Sequence, residues 1–262
     1  FSTPTGSSGL LDLLQIDCRL LKLSSYQLTN IPFLREAAET KVPLIISTGG
    51  ATLAEVAKAV EIVSSYHDNF QLLHCVIQYP AALDCANLQC IKSLRDVLGV
   101  PVGFSNNGFI SDHGSIDYEA IPYHVGLVGG TAYEVHITLD RQGSGVDQGF
   151  SIEPHEQKVT LERLREGQCD RENGSEKIDQ RILGSGVKRI LPEEKYVRSF
   201  AFAKLFYSRD LKKGHPLSHQ DVKIVRPGEL GVRPDLIDPS ALPLLLGVPI
   251  QVDVQASAPV LQ

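Results

Sequence analysis

Lys22 lies inside the apolar run Leu20-Leu21-Lys22-Leu23, where an unpaired ammonium would be costly to bury. Other side chains capable of chemistry recur where apolar runs end: Ser24 and Ser25, Ser47 and Thr48, Tyr79, Ser105 and His136. A cation, hydroxyls and a phenol bind anions and orient polar substrates; an imidazole also exchanges protons near neutral pH or ligates a metal. Each has an ordinary structural role beside that one. A lysine can snorkel at an edge, a strand-end serine can satisfy nearby backbone groups, and a strand histidine can be a satisfied core residue.

The elements that must position these residues are short apolar runs alternating with segments of helical period. Cys18–Ser24, Pro43–Thr48, Phe70–Val76, Val100–Ser105 and Ala132–Leu139 read as strands, several apolar throughout as in strands buried on both faces. Leu53, Val56, Ala57, Val60 and Val63 recur at three- and four-residue steps and form one stripe of a helix, with Thr52 near its start. Asn87–Leu98, Asp117–Leu127 and Pro154–Arg165 read as further crossover helices. Repeated strand–helix units imply an α/β fold with a parallel sheet. No dinucleotide fingerprint follows a strand, and the polar residues collect at the carboxyl ends of several strands. That is the rule of a (β/α)8 barrel, which is favoured over an open sheet.

The 262 residues, 42% hydrophobic and 21% charged, are enough for one large domain or two smaller ones. A net charge of −6 without a long basic run argues against nucleic-acid binding. No apolar stretch approaches the roughly 20 residues of a membrane span, and no signal-peptide pattern opens the chain. The five cysteines lack zinc-type pairing, so a reducing, cytoplasmic setting is expected. The chain begins Phe1-Ser2-Thr3-Pro4 and has no methionine, and so reads as an interior piece of a longer protein.

The character changes at the polar stretch Gln168–Gln180, which reads as a solvated loop or helix end, and again after Leu191-Pro192-Glu193-Glu194. Beyond it, Ala203–Tyr207 and Val222–Val225 lie between Lys213-Gly214, Pro227-Gly228 and Pro234, the pattern of a small β-rich module with tight turns. The expected boundaries are 1–190 for the barrel part, 191–198 for a linker and 199–262 for the module.

Lys22-Leu23-Ser24-Ser25, Thr29-Asn30-Ile31-Pro32, Ile46-Ser47-Thr48-Gly49, Leu73-His74-Cys75, Tyr79-Pro80, Val102-Gly103-Phe104-Ser105, Glu134-Val135-His136-Ile137-Thr138-Leu139-Asp140, Ser151-Ile152-Glu153-Pro154, Leu183-Gly184-Ser185-Gly186 and Val225-Arg226-Pro227-Gly228 follow one another in a telling order. Together they resemble the sialic acid synthase family of N-acetylneuraminate, legionaminate and pseudaminate synthases, over nearly the whole chain. The resemblance implies strands 3–8 of a (β/α)8 TIM barrel, followed by a small antifreeze-like domain that reaches over the partner's site in a swapped homodimer. It also implies the reaction. Phosphoenolpyruvate would condense with an N-acetylated hexosamine to a nine-carbon 2-keto acid and phosphate, with Mn2+ or Mg2+ as cofactor. With the first two strands missing, the sheet should expose its edges and stability should be poor. Ser25-Tyr26-Gln27 and Gly145–Ser151 look closer to the pseudaminate, legionaminate or spore-coat synthases than to animal enzymes.

By this resemblance Lys22 clamps the phosphate with the hydroxyls of Thr3, Ser25, Ser47 and Ser105. Tyr79 and Asp147 take the sugar hydroxyls, and Arg226 meets the N-acetyl group from the neighbouring subunit. His136 matches a metal ligand. Four positions depart from the family. Asn107 stands where a second metal histidine belongs, with His113 as a substitute if its loop folds back. Gln27 replaces a catalytic glutamate and cannot move protons near neutral pH. Ile77 replaces a polar residue, and Val135 a basic one. The alternative to a synthase is therefore a catalytically impaired relative that keeps phosphate or sugar binding, or a decayed gene copy.

Overall fold

The structure, a computed structural model, describes residues 1–174, 177–233 and 235–261. Five parallel strands form its main sheet: β1 (Leu21–Leu23), β2 (Leu44–Ser47), β3 (Phe70–Cys75), β4 (Val102–Asn106) and β5 (Tyr133–Val135). They are hydrogen-bonded in the order β1-β2-β3-β4-β5. Each strand lies beside the next one in sequence, with no reversal. A doubly wound sheet has a switch in strand order, whereas a barrel adds strands in sequence, so the order supports part of a barrel. Ser2 makes a single parallel bridge to Leu21, which adds a sixth position to the sheet.

Four helices cross between the strands: α2 (Ile31–Glu39), α3 (Leu53–Ser64), α4 (Gln89–Leu98) and α5 (Ala120–Leu127), after an opening α1 (Ser7–Gln15). Their inner faces pack on the sheet. Leu34, Val56, Ile91 and Val125 join Leu23, Ile46, Leu72 and Phe104 in one buried core. Thr52 caps α3 through a capping box with Glu55, as its place in the sequence indicates. Of these five helices, α1 and α2 lack a counterpart in the sequence reading. The second carries its own signals: the Asn30 side chain accepts from Phe33 N, and Pro32 sits in the first turn.

Helix α6 runs Pro154–Asn173, longer than its periodicity indicates, and ends at Gly174 in the left-handed region. The charged stretch Asp170–Asn173 is thus its last turn, while Ser175 and Glu176 lie outside the described residues. Gly126 and Gly167 let α5 and α6 touch. A Cβ on Gly167 would fall 2.0 Å from the Tyr123 carbonyl oxygen.

The sheet is open among the described residues, since β1 and β5 do not pair with each other. Past β5, Ile137 makes a single parallel bridge to Ile152, yet Ile137 and Leu139 remain 65% and 91% exposed. After a short α7 (Gln180–Leu183), the expected linker proves helical: α8 covers Glu194–Ala201. Beyond it β6 (Lys204–Tyr207) pairs antiparallel with β7 (Val222–Val225), and a short α9 spans Leu242–Leu245. Leu205, Ile237, Leu242 and Val260 form a core of this module's own. The turn expected at Pro234 lies outside the described residues. No helix among those described is long and apolar enough to cross a membrane.

Candidate active site

Thr3, Lys22, Ser24, Ser25, Ser47, Cys75, Ser105, Asn107, Glu134 and His136 line one cavity of about 190 Å3 with Tyr26 and Tyr79 at its mouth. They come from the carboxyl ends of all five strands and from the segment after Ser2. Period two explains which residues face in: Ser105 and Asn107 alternate, as do Glu134 and His136.

Lys22 is buried, and its Nζ lies 3.3 Å from the Glu134 carboxylate. Ser105 Oγ donates to the same Glu134 oxygen at 2.6 Å. Gly49 N–H donates to Ser25 Oγ at 2.9 Å, so the Ser25 hydroxyl proton turns to its other neighbours, Cys75 Sγ among them. Ser47 Oγ is buried without a hydrogen-bond partner. A buried hydroxyl so placed costs free energy unless something fills it. Burial pushes the Cys75 thiol up, against the opposing pull of Ser25, Lys188, Lys22 and Ser105, so it stays protonated. A half-neutralised cation, the unpartnered Ser47 hydroxyl, the Ser25 hydroxyl and a neutral thiol make a small receptor for an oxyanion.

The mouth is aromatic. Tyr79 and Tyr26 share a hydroxyl–hydroxyl bond of 2.9 Å, and the Tyr79 ring packs on Phe150 at 5.5 Å. His136 stands edge-on to Phe150, with Nδ1 3.7 Å from the Asp147 carboxylate. Tyr79, His136 and Asp147 are thus brought together. Burial raises the Tyr79 phenol far above its ordinary range, so it acts only as a neutral hydroxyl.

Other expected residues are placed differently. Gln27 turns away from the cavity; its Nε2 donates to Thr5 O at 2.8 Å and its Oε1 accepts from Asn30 at 2.9 Å. It lines a separate hollow of about 680 Å3 with Arg226. Arg226 lies 4.5 Å over the Tyr26 ring, at the cavity mouth. His113 sits on an exposed turn beside Asp112, which is held by Arg181, and does not line the cavity.

Of the expected metal ligands, Asn107 and His136 line the same cavity and His113 does not. Asn107 donates its amide nitrogen to Val76 O at 2.8 Å and to Cys75 Sγ at 3.3 Å, which leaves one carbonyl oxygen. Among the described residues no group of three His, Cys, Asp or Glu is placed to hold a metal ion. One imidazole and one amide oxygen are a poor donor set for a transition ion. Glu134, Cys75 and Tyr26 are cavity residues to which the sequence reading gave no role, and of these Glu134 was the readable one. Its spacing of two from His136 carried the signal.

The family model described as the NeuB family matches residues 1–175, more than half of the chain. The chain belongs to this family, the sialic acid synthases. It is 33% identical over 230 residues to an N,N'-diacetyllegionaminic acid synthase of Legionella pneumophila, covering 86% of this chain and 59% of that protein. A pseudaminic acid synthase of Helicobacter pylori is 28% identical over 237 residues, covering 89% of this chain and 63% of that one. The crystal structure of spore coat polysaccharide biosynthesis protein SpsE of Bacillus subtilis superposes with a TM-score of 0.88 at 26% identity, over 100% of this chain and 71% of that chain. This synthase-family chain spans about three fifths of the length of the curated relatives it matches.

Proposed function

We propose that the strand-end cavity of this NeuB-family chain binds phosphoenolpyruvate and that its aromatic mouth takes an N-acetylated hexosamine. The reaction would be the condensation that makes a nonulosonic acid and phosphate. One observation carries this reading: Lys22 and the hydroxyls of Ser25, Ser47 and Ser105 surround a single cavity, with hydrogen-bonding capacity left unfilled. Thr3 would add a fifth contact from the rim.

In that reaction C3 of phosphoenolpyruvate bonds to the aldehyde carbon of the open-chain sugar, whose oxygen takes a proton and becomes a hydroxyl. Water adds at the electron-poor C2 and gives up a proton. The C2–O bond to phosphate then breaks, the new C2 hydroxyl collapses to the keto group, and its proton leaves with phosphate. Lys22 and the serines hold the phosphate and stabilise its charge as the bond breaks. Tyr79 and Asp147 orient the sugar hydroxyls, and Arg226 stands near enough to Tyr26 to meet the N-acetyl group. A divalent ion, Mn2+ or Mg2+, is the cofactor that family membership implies. The donors around His136 do not fit it well. The small module would be the antifreeze-like domain, the assembly a domain-swapped homodimer, and the setting cytoplasmic.

A second reading has its own support. Gln27 is tied to Thr5 and Asn30, and Asn107 has spent its amide nitrogen, so a proton carrier and a metal ligand are both missing. Each loss costs on the order of 100-fold in rate. That profile fits an impaired relative that still binds the anion. Incubation with phosphoenolpyruvate, N-acetylmannosamine and Mn2+, followed by mass spectrometry, separates the two. A nine-carbon acid supports the synthase, and anion binding without product supports the impaired relative.

A further inference from the structure

Glu194 opens α8, the helix that leads into the small module, and is 1% exposed. A carboxylate buried that deeply needs hydrogen bonds from several donors. It has three. One oxygen accepts from Gly50 N at 2.9 Å and from Ile77 N at 3.0 Å; the other accepts from Leu191 N at 2.9 Å. Gly50 follows β2 and Ile77 follows β3, so one side chain stitches together two loops at the cavity rim. Arg198, one turn on, donates to the Gly50 carbonyl and to Glu55 of the α3 capping box. The loops meet closely enough to require both glycines. A Cβ on Gly49 would lie 2.6 Å from Ile77 Cγ2, and one on Gly50, at φ +60°, 2.3 Å from Ile77 Cδ1. Gly49, between the stitched Gly50 and Ser47, is the residue whose amide holds Ser25 Oγ.

We infer that Glu194 is a positioning residue for the anion site: by fixing Gly50 and Ile77 it aims the Gly49 amide at Ser25, so that the Ser25 hydroxyl proton points to the phosphate. This rests on the anion-site reading above. It also ties the site to the helix that leads into the small module.

The test is calorimetric titration of phosphoenolpyruvate into the unaltered chain, Glu194→Gln, Ser25→Ala and the double variant, with folding checked by circular dichroism. Glutamine turns one acceptor into a donor facing Leu191 N–H while keeping the shape. Each single variant should weaken binding about tenfold, and the double variant should be no weaker than the worse single one, because both act through one hydroxyl. A merely structural glutamate would lower the melting temperature and leave affinity unchanged. Unchanged affinity, or losses that multiply in the double variant, overturns the inference. If Glu194→Gln does not fold, amide exchange on the unaltered chain decides. Phosphoenolpyruvate should slow exchange at Gly49, Gly50 and Ile77, and no slowing overturns the inference. Binding that Lys22→Met abolishes but Glu194→Gln leaves intact refutes the role of Glu194 alone. No binding by the unaltered chain refutes the anion site, and this role with it.

Discussion

Glu134 occupies the place at Lys22 that an incoming phosphate would need: its carboxylate lies 3.3 Å from Lys22 Nζ and accepts the Ser105 hydroxyl at 2.6 Å. The site thus holds an internal anion. It offsets the cost of burying Lys22, and it also competes with a bound dianion for the same donors.

Removing that charge should therefore help binding. Glu134→Gln keeps the shape and the Ser105 bond but withdraws a like charge from the phosphate. Inorganic phosphate should bind about tenfold more tightly to the variant, as measured by calorimetry at pH 7.5. Weaker binding would mean that the carboxylate serves the anion rather than opposing it.

The metal question turns on Asn107, whose amide faces the same cavity as His136. Restoring an imidazole there gives two nitrogen donors where there is one. Asn107→His should raise Mn2+ affinity at least tenfold over the unaltered chain, followed by the paramagnetic loss of free-ion signal. Equal affinities would place metal binding, if any, away from His136.

His74 sets a pH dependence for the barrel part. Burial, and then the nearby Lys188 charge, push its pKa from 6.5 down to about 3, while a bond to the Ala86 carbonyl opposes them. The folded state disfavours the proton that the unfolded chain accepts, so the contribution is full above pH 6.5 and is lost as pH falls toward 3. Urea unfolding should show stability falling between pH 6.5 and 4.5, and His74→Gln should flatten that decline. A decline of the same slope in the variant would assign the effect elsewhere.

The strands were legible because each is a short apolar run, and the sheet places all five within the predicted ranges save one residue, Asn106. Helix α3 was legible through its stripe and its cap. Helix α1 was not, because Gly6 before it offers no side-chain cap. In the site, residues fixed by strand period were readable: Lys22, Ser47, Ser105 and His136 reach one cavity. Residues on turns were readable only in part, since Ser25 and Tyr79 reach the cavity as well. Gln27 and His113 point where tertiary contacts send them, toward Thr5 and Asn30 in one case and out beside Asp112 in the other. Glu194 was out of reach for the same reason, since its partners lie 117 and 144 positions away in the chain.

The central claim is that Lys22 and the strand-end hydroxyls form a phosphate site. Titrating phosphoenolpyruvate into the unaltered chain and into Lys22→Met, in parallel, tests it most directly. Saturable binding by the unaltered chain, weakened on the order of 100-fold in the variant, is the predicted result. Equal affinity in both, or no binding by either, would contradict it.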